Sequence, residues 1–114
     1  MILSIIIPVY NEEKTIIELL KKIKKNSSNH SKYEIIVIND GSTDNTKKLL
    51  EDNKDLYNKL LINENNKGKG FSVKKGIINS SGSHIIFQDA DLEYDPSDYI
   101  KFENLKFSRN DRLI

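Results

Sequence analysis

Apolar residues fall in short blocks that alternate with polar, lysine-rich stretches. Leu3 to Val9 is apolar at its centre without alternation, the pattern of a strand covered on both faces. Pro8 is expected to end regular pairing, since proline has no N–H to give a ladder. Asn11 then reads as the N-cap of a first helix, with Glu12 and Glu13 in its first turn, where the helix dipole favours anions. Ile16, Ile17, Leu19, Leu20 and Ile23 follow at helical spacing. Lys21, Lys22, Lys24 and Lys25 crowd the last turn as a solvated face, and Asn26 to Lys32 is a polar loop.

Tyr33 to Ile38 repeats the strand pattern and runs into Asn39-Asp40-Gly41-Ser42-Thr43-Asp44. Gly41 permits a tight turn, and Asp44 is placed to cap a second helix through Leu49 and Leu50. Leu60 to Ile62 is a weaker third strand. The basic turn Asn65-Asn66-Lys67-Gly68-Lys69-Gly70 precedes a third helix carrying Phe71, Lys74, Lys75, Ile77 and Ile78. Gly76 inside that helix costs roughly 1 kcal/mol against alanine, which a close approach of helix to sheet would justify. Ser83 to Gln88 is the fourth strand. Asp95-Pro96-Ser97-Asp98 then reads as a helix start, with proline at the first helical position, and Tyr99 and Phe102 begin its apolar face.

Strands alternating with helices predict an α/β fold with a mainly parallel sheet between helical layers. In such sheets ligands bind beyond the carboxyl ends of the strands. Three polar clusters lie there: Pro8-Val9-Tyr10-Asn11-Glu12, Asn39 to Asp44, and Asp89-Ala90-Asp91. Helix capping accounts for Asn11, Asp44 and Asp95, and leaves Asp40, Asp89 and Asp91 in want of another role.

Composition narrows the chemistry. A chain of 114 residues holds one modest core. Its net charge of +1 carries no bias toward nucleic acid, and the absence of cysteine removes disulfides, thiolate catalysis and cysteine–zinc sites. The longest aliphatic run, Ile5-Ile6-Ile7, is far too short to span a bilayer. Met1 leads into a strand-like segment with no secretory signal pattern, so a cytoplasmic location is expected.

Asp89 and Asp91 carry the sharpest chemical suggestion. In an extended backbone, positions two apart point to one side, so both carboxylates would aim at one point past the strand. Paired carboxylates repel unless a cation lies between them, and a hard ion such as Mg²⁺ or Mn²⁺ takes one or two carboxylates plus phosphate and water oxygens. A calcium loop of the EF-hand type is excluded. Its sixth position would be Tyr94 where glycine is needed, and its twelfth Ile100 where glutamate is needed.

Four blocks, in order and spacing, resemble the family 2 inverting glycosyltransferases: Pro8-Val9-Tyr10-Asn11-Glu12, Asn39 to Asp44, Asn66-Lys67-Gly68-Lys69-Gly70, and Gln88 to Pro96. The resemblance runs from about Ile5 to Ile100 and is nearest to the branch that moves hexoses onto polyprenyl phosphates. It implies a Rossmann-like three-layer α/β/α fold of the nucleotide-diphospho-sugar transferase type. It also implies a UDP- or GDP-linked sugar donor and an acceptor such as a polyprenyl phosphate or glycan. By the same resemblance Pro8 and Tyr10 line the nucleobase pocket, and Glu12 and Asp40 accept hydrogen bonds from base or ribose. Lys67 and Lys69 lie in the matching basic turn, placed to neutralise phosphate, with Lys67 as the nucleotide-binding residue. Asp89 meets the donor diphosphate, and Asp89 and Asp91 hold Mg²⁺ or Mn²⁺. No residue is identified as a general base.

Members of that family continue well past the carboxylate pair. Residues 1–105 therefore read as the nucleotide-sugar-binding part of a truncated domain, and residues 106–114 as an atypical tail. Both arginines of the chain, Arg109 and Arg112, fall in that tail.

Overall fold

The computed structural model describes residues 2–27 and 32–90. Asp91, the expected helix start at Asp95, the Tyr99 and Phe102 face and the tail at 106–114 lie outside the described residues. The elements are β1 (Ile2–Val9), α1 (Ile16–Ser27), β2 (Lys32–Asp40), α2 (Thr46–Asp52), β3 (Lys59–Asn63), α3 (Lys69–Ile78) and β4 (His84–Phe87). A short 3₁₀ turn at Lys54–Leu56, with no counterpart in the hydrophobic pattern, joins α2 to β3.

The strands form one parallel sheet in the order β3-β2-β1-β4. The chain reverses its direction of winding at β1, which has β2 on one side and β4 on the other. The crevice beyond the carboxyl ends of these strands is where such sheets bind ligands. Side-chain alternation sorts the core into two layers. Leu3, Ile5, Ile7 and Val9 of β1, with Ile35 and Val37 of β2, meet Ile16, Leu19, Leu20 and Ile23 of α1 and Leu50 of α2. Ile6, Ile36 and Ile38 face the other way, onto Ile77 of α3. The three-layer α/β/α expectation therefore holds across the described residues.

The close approach expected at Gly76 is present. A β-carbon there would lie 2.6 Å from Ile6 Cγ2 and 2.9 Å from Ile38 Cδ1. Gly41 takes the left-handed backbone, φ +69°, that its tight turn demands.

Several local expectations are corrected. Pro8 does not end the β1–β2 pairing, since Pro8 lies opposite Ile38 and Val9 opposite Asn39. The amide of Gln88 donates to the Ile6 carbonyl at 3.0 Å, so backbone groups of Ile6, and two residues on of Pro8, face the β4 side. By Pro8 that neighbour has run out, and the missing N–H costs no ladder bond. Nor does Asn11 cap α1, which begins at Ile16; the carbonyl of Glu12 instead accepts from Thr15 N and Ile16 N at 3.2 and 3.0 Å. The second strand runs beyond Ile38 to Asp40, because Asn39 and Asp40 pair with Ile62 and Asn63 of β3. The fourth strand is shorter than Ser83–Gln88, and the chain turns at Ala90.

Candidate nucleotide and cation site

The turns after β1 and β2 are locked into one platform. Asn11 adopts φ +53°, a conformation that asparagine tolerates better than most residues. Its Oδ1 accepts from the amides of Thr43 and Asp44 at 2.7 and 3.2 Å, and its own amide donates to Ser42 Oγ at 3.0 Å. The amide of Glu12 donates to Thr46 Oγ1 at 3.0 Å, and the amide of Asn45 to Glu13 Oε2 at 3.2 Å. Asn45, without a side-chain cap bond, and not Asp44 stands at the N-cap of α2; Asp44 Oδ1 instead accepts from the amide of Thr46, two residues on, at 2.9 Å. Burial pushes the Asp44 carboxyl up, but donors from Thr46 and the Glu13 amide outweigh it and hold the group below its ordinary value.

Asp40, at the end of β2, is buried and holds a second turn. Its Oδ1 accepts from Lys67 N at 2.7 Å and Asn63 Nδ2 at 2.9 Å, and its Oδ2 from Gly68 N at 3.0 Å. Asn63 is its register partner on β3 and also donates to Ser72 Oγ of α3 at 3.0 Å. Lys75 Nζ reaches Asn63 Oδ1 at 3.0 Å. The carboxyl ends of β2 and β3 and the start of α3 are thus one hydrogen-bonded unit.

A third tie closes the edge. The Thr15 hydroxyl, at the start of α1, donates to the carbonyl of Ala90 at 2.6 Å, next to Asp89. Asp89 Oδ1 in turn accepts from Lys69 Nζ at 2.5 Å.

These ties surround a cleft of about 430 Å³ lined by Pro8, Tyr10, Glu12, Asp40, Lys69 and Asp89, with Val9, Asn66, Gly68 and Ala90 between them. Five of the expected residues, Pro8, Tyr10, Glu12, Asp40 and Asp89, meet there. Tyr10 is 43% exposed and offers an open aromatic face. Lys67 does not line the cleft. Its backbone amide binds Asp40, and the neighbouring Lys69 brings the ammonium to the wall. Asn63 and Ser72 escaped the sequence reading, although Asn63 ends β3 at the edge where polar residues are informative.

The donor chemistry fits a hard divalent cation. Asp89 offers a carboxylate oxygen to the cleft at a point where a cationic group already stands. Among the described residues no three His, Cys, Asp or Glu side chains gather, so other ligands would come from Asp91, phosphate and water.

The family described as "Glycosyl transferase family 2" matches residues 4–105. The chain is 36% identical over 121 aligned positions to a dolichyl-phosphate beta-glucosyltransferase of Dictyostelium discoideum, covering 96% of this chain and 37% of that protein. It is 34% identical over 99 positions to an undecaprenyl-phosphate 4-deoxy-4-formamido-L-arabinose transferase of Proteus mirabilis, covering 83% and 30%. The chain spans only about a third of the length of these relatives. Among solved structures it resembles Staphylococcus aureus TarS in complex with UDP-GlcNAc, with TM-score 0.74 and 29% identity over 90% of this chain and 30% of that one. It likewise resembles the mannosyltransferase PcManGT of Pyrobaculum calidifontis in complex with GDP-Man and Mn²⁺, with TM-score 0.71 and 26% identity over 86% and 30%.

Proposed function

The chain belongs to glycosyl transferase family 2, and on that premise we propose that it binds the donor in a metal-dependent transfer of sugar from a nucleoside diphosphate to a polyprenyl phosphate. The observation that carries this reading is the single cleft on which Pro8, Tyr10, Glu12, Asp40 and Asp89 converge at the carboxyl edge of the sheet.

In this reading Pro8 and Tyr10 give the base its apolar and aromatic walls, and Glu12 and Asp40 accept from base or ribose. Lys69 takes the phosphate role that the sequence pattern also allows Lys67. Asp89 and Asp91 hold Mg²⁺ or Mn²⁺. Such an ion, when bound, offsets the negative charge that grows on the departing diphosphate. The bonded loops fix the backbone at Glu12, Asp40 and Gly68 before the donor arrives, so less ordering is left for binding itself. Inversion requires in-line attack at the anomeric carbon. A lipid phosphate acceptor is already anionic, which relieves the need for a general base. The names of the two curated relatives support that acceptor class. Among the described residues no helix is long and apolar enough to cross a membrane. The reading puts the chain on the cytoplasmic side, at the surface of the membrane that holds the lipid.

Calorimetry with UDP and GDP, with Mn²⁺ and with excess chelator, tests the donor half of the proposal. Binding that needs the metal and is lost in Asp89→Asn is expected; equal binding in chelator overturns the metal's role. Transfer from radiolabelled UDP-glucose or GDP-mannose to polyprenyl phosphate tests the acceptor.

A further inference from the structure

We propose that Lys69 is a built-in counter-ion of Asp89, displaced by the divalent cation and then re-paired with the donor's diphosphate, so that metal and nucleotide bind cooperatively. This rests on the nucleotide and cation reading of the cleft and adds a coupling device to it.

The geometry sets up a competition. Lys69 Nζ stands 2.5 Å from Asp89 Oδ1, and both side chains line the cleft. A divalent cation bound to that carboxylate would stand within a few ångströms of the ammonium. Repulsion between like charges at such separations is substantial in a partly desolvated cleft. Cation and ammonium therefore exclude one another from Asp89.

Lys69 also has a reason to seek an anion. It is the first residue of α3, where the helix dipole disfavours a cation, and α3 has neither an acid in its first turn nor a side-chain cap. Asp40 places one carboxylate there through the Gly68 amide, and Asp89 supplies the partner of the ammonium itself. When the metal takes Asp89, Lys69 is left beside an electropositive helix end without its partner. A diphosphate in the same cleft replaces it.

The side chain is free to make this exchange while its backbone is held. The preceding residue, Gly68, is fixed by Asp40 at 3.0 Å, whereas the Lys69 side chain is 64% exposed. Metal binding alone must break the Lys69–Asp89 pair. With a nucleoside diphosphate present, the released ammonium finds a new partner. By linkage each ligand then raises the affinity for the other by the same factor.

The test measures Mn²⁺ binding to the full 114-residue chain by electron paramagnetic resonance, with and without UDP or GDP. Lys69→Met keeps the apolar stem and removes the charge. It should bind Mn²⁺ alone at least about fivefold more tightly than wild type, the low end of ordinary coupling between linked sites. The enhancement of Mn²⁺ binding by nucleotide should shrink by a similar factor, and Lys69→Arg should restore it. Unchanged or weaker Mn²⁺ binding by Lys69→Met without nucleotide, in a chain whose wild type binds both ligands, overturns this inference alone. A wild type that binds no nucleotide with or without Mn²⁺ overturns the proposed function as well.

Discussion

Asp40 Oδ2 accepts the amide proton of Gly68 at 3.0 Å, so a carboxylate at the end of β2 holds the turn that opens α3. The same side chain takes donors from Lys67 N and Asn63 Nδ2. Asp40 thus shapes the wall of the cleft as well as lining it. Asp40→Ala should lower stability by about 1–3 kcal/mol, since it strands buried donors that a charged acceptor had satisfied. Because Lys69 follows the clamped turn, pyrophosphate binding should weaken along with nucleotide binding. Denaturant unfolding and calorimetry with UDP and pyrophosphate check both effects. Intact stability, with only nucleotide binding lost, would make Asp40 a ligand and nothing more.

The platform after β1 depends on Asn11. Asn11→Ala removes its bonds to the Thr43 and Asp44 amides and leaves a β-carbon at φ +53°. Asn11→Gly loses the same side-chain bonds but tolerates the backbone angle. Alanine should therefore be the less stable by about 1 kcal/mol, the order of the left-handed penalty, and both should be less stable than wild type. Thermal unfolding of the three proteins separates the two causes.

Strands and helices were legible because their cause is local. Unbroken runs such as Ile5-Ile6-Ile7 can only be buried, and the spacing of Ile16, Leu19, Leu20 and Ile23 can only form one helical stripe. The residues of the cleft were legible for a related reason, since carboxyl ends of parallel strands gather in space whatever the loop lengths. What escaped was long-range. Asparagine at position 11 looks like a helix cap, and only the distance across to the next turn shows that it serves Thr43 and Asp44. Lys67 and Lys69 cannot be told apart in sequence. The clamp on Asp40 turns one backbone inward and leaves the other side chain at the cleft.

Far from the cleft, at the opposite end of the sheet, Glu34 ties the α3–β4 loop to the strands. It accepts from Ser4 Oγ at 2.7 Å and from Ser81 N and Oγ at 2.8 and 2.6 Å, with Lys59 Nζ at 3.4 Å. Burial pushes its carboxyl up, but these hydrogen bonds and the Lys59 charge outweigh it and bring the group from 4.5 down to about 2. A depressed folded value means stability that is present above about pH 4.5 and lost as pH falls toward 2. The contribution is about 2–3 kcal/mol. Urea unfolding between pH 6 and pH 2.5 should show this loss in wild type, with a shallower slope in Glu34→Gln.

Gly76 joins packing to the site. Replacing it with alanine improves helix propensity by about 1 kcal/mol. The new methyl would meet Ile6 Cγ2 at 2.6 Å and Ile38 Cδ1 at 2.9 Å, both in the fully buried centre of the sheet. Overpacking of this kind costs about 1–3 kcal/mol, so the net effect of Gly76→Ala should be destabilising. Ile6 is β-branched and stiff at its first torsion, and its Cγ2 cannot swing aside cheaply. The strain is relieved by lifting α3, and α3 carries Lys69 and Ser72 at its other end. Gly76→Ala should therefore also weaken nucleotide binding, although Gly76 touches nothing in the cleft. Ile6→Ala alone opens a cavity and should cost about 2–5 kcal/mol. Combined with Gly76→Ala, the added methyl fills part of that cavity, so the pair should be less damaging than the sum of its parts. A double-mutant cycle by denaturant unfolding, with UDP affinity measured on each member, checks the account. Additive stabilities would show that the helix does not press on Ile6, and unchanged affinity in Gly76→Ala would show that α3 can move without disturbing Lys69.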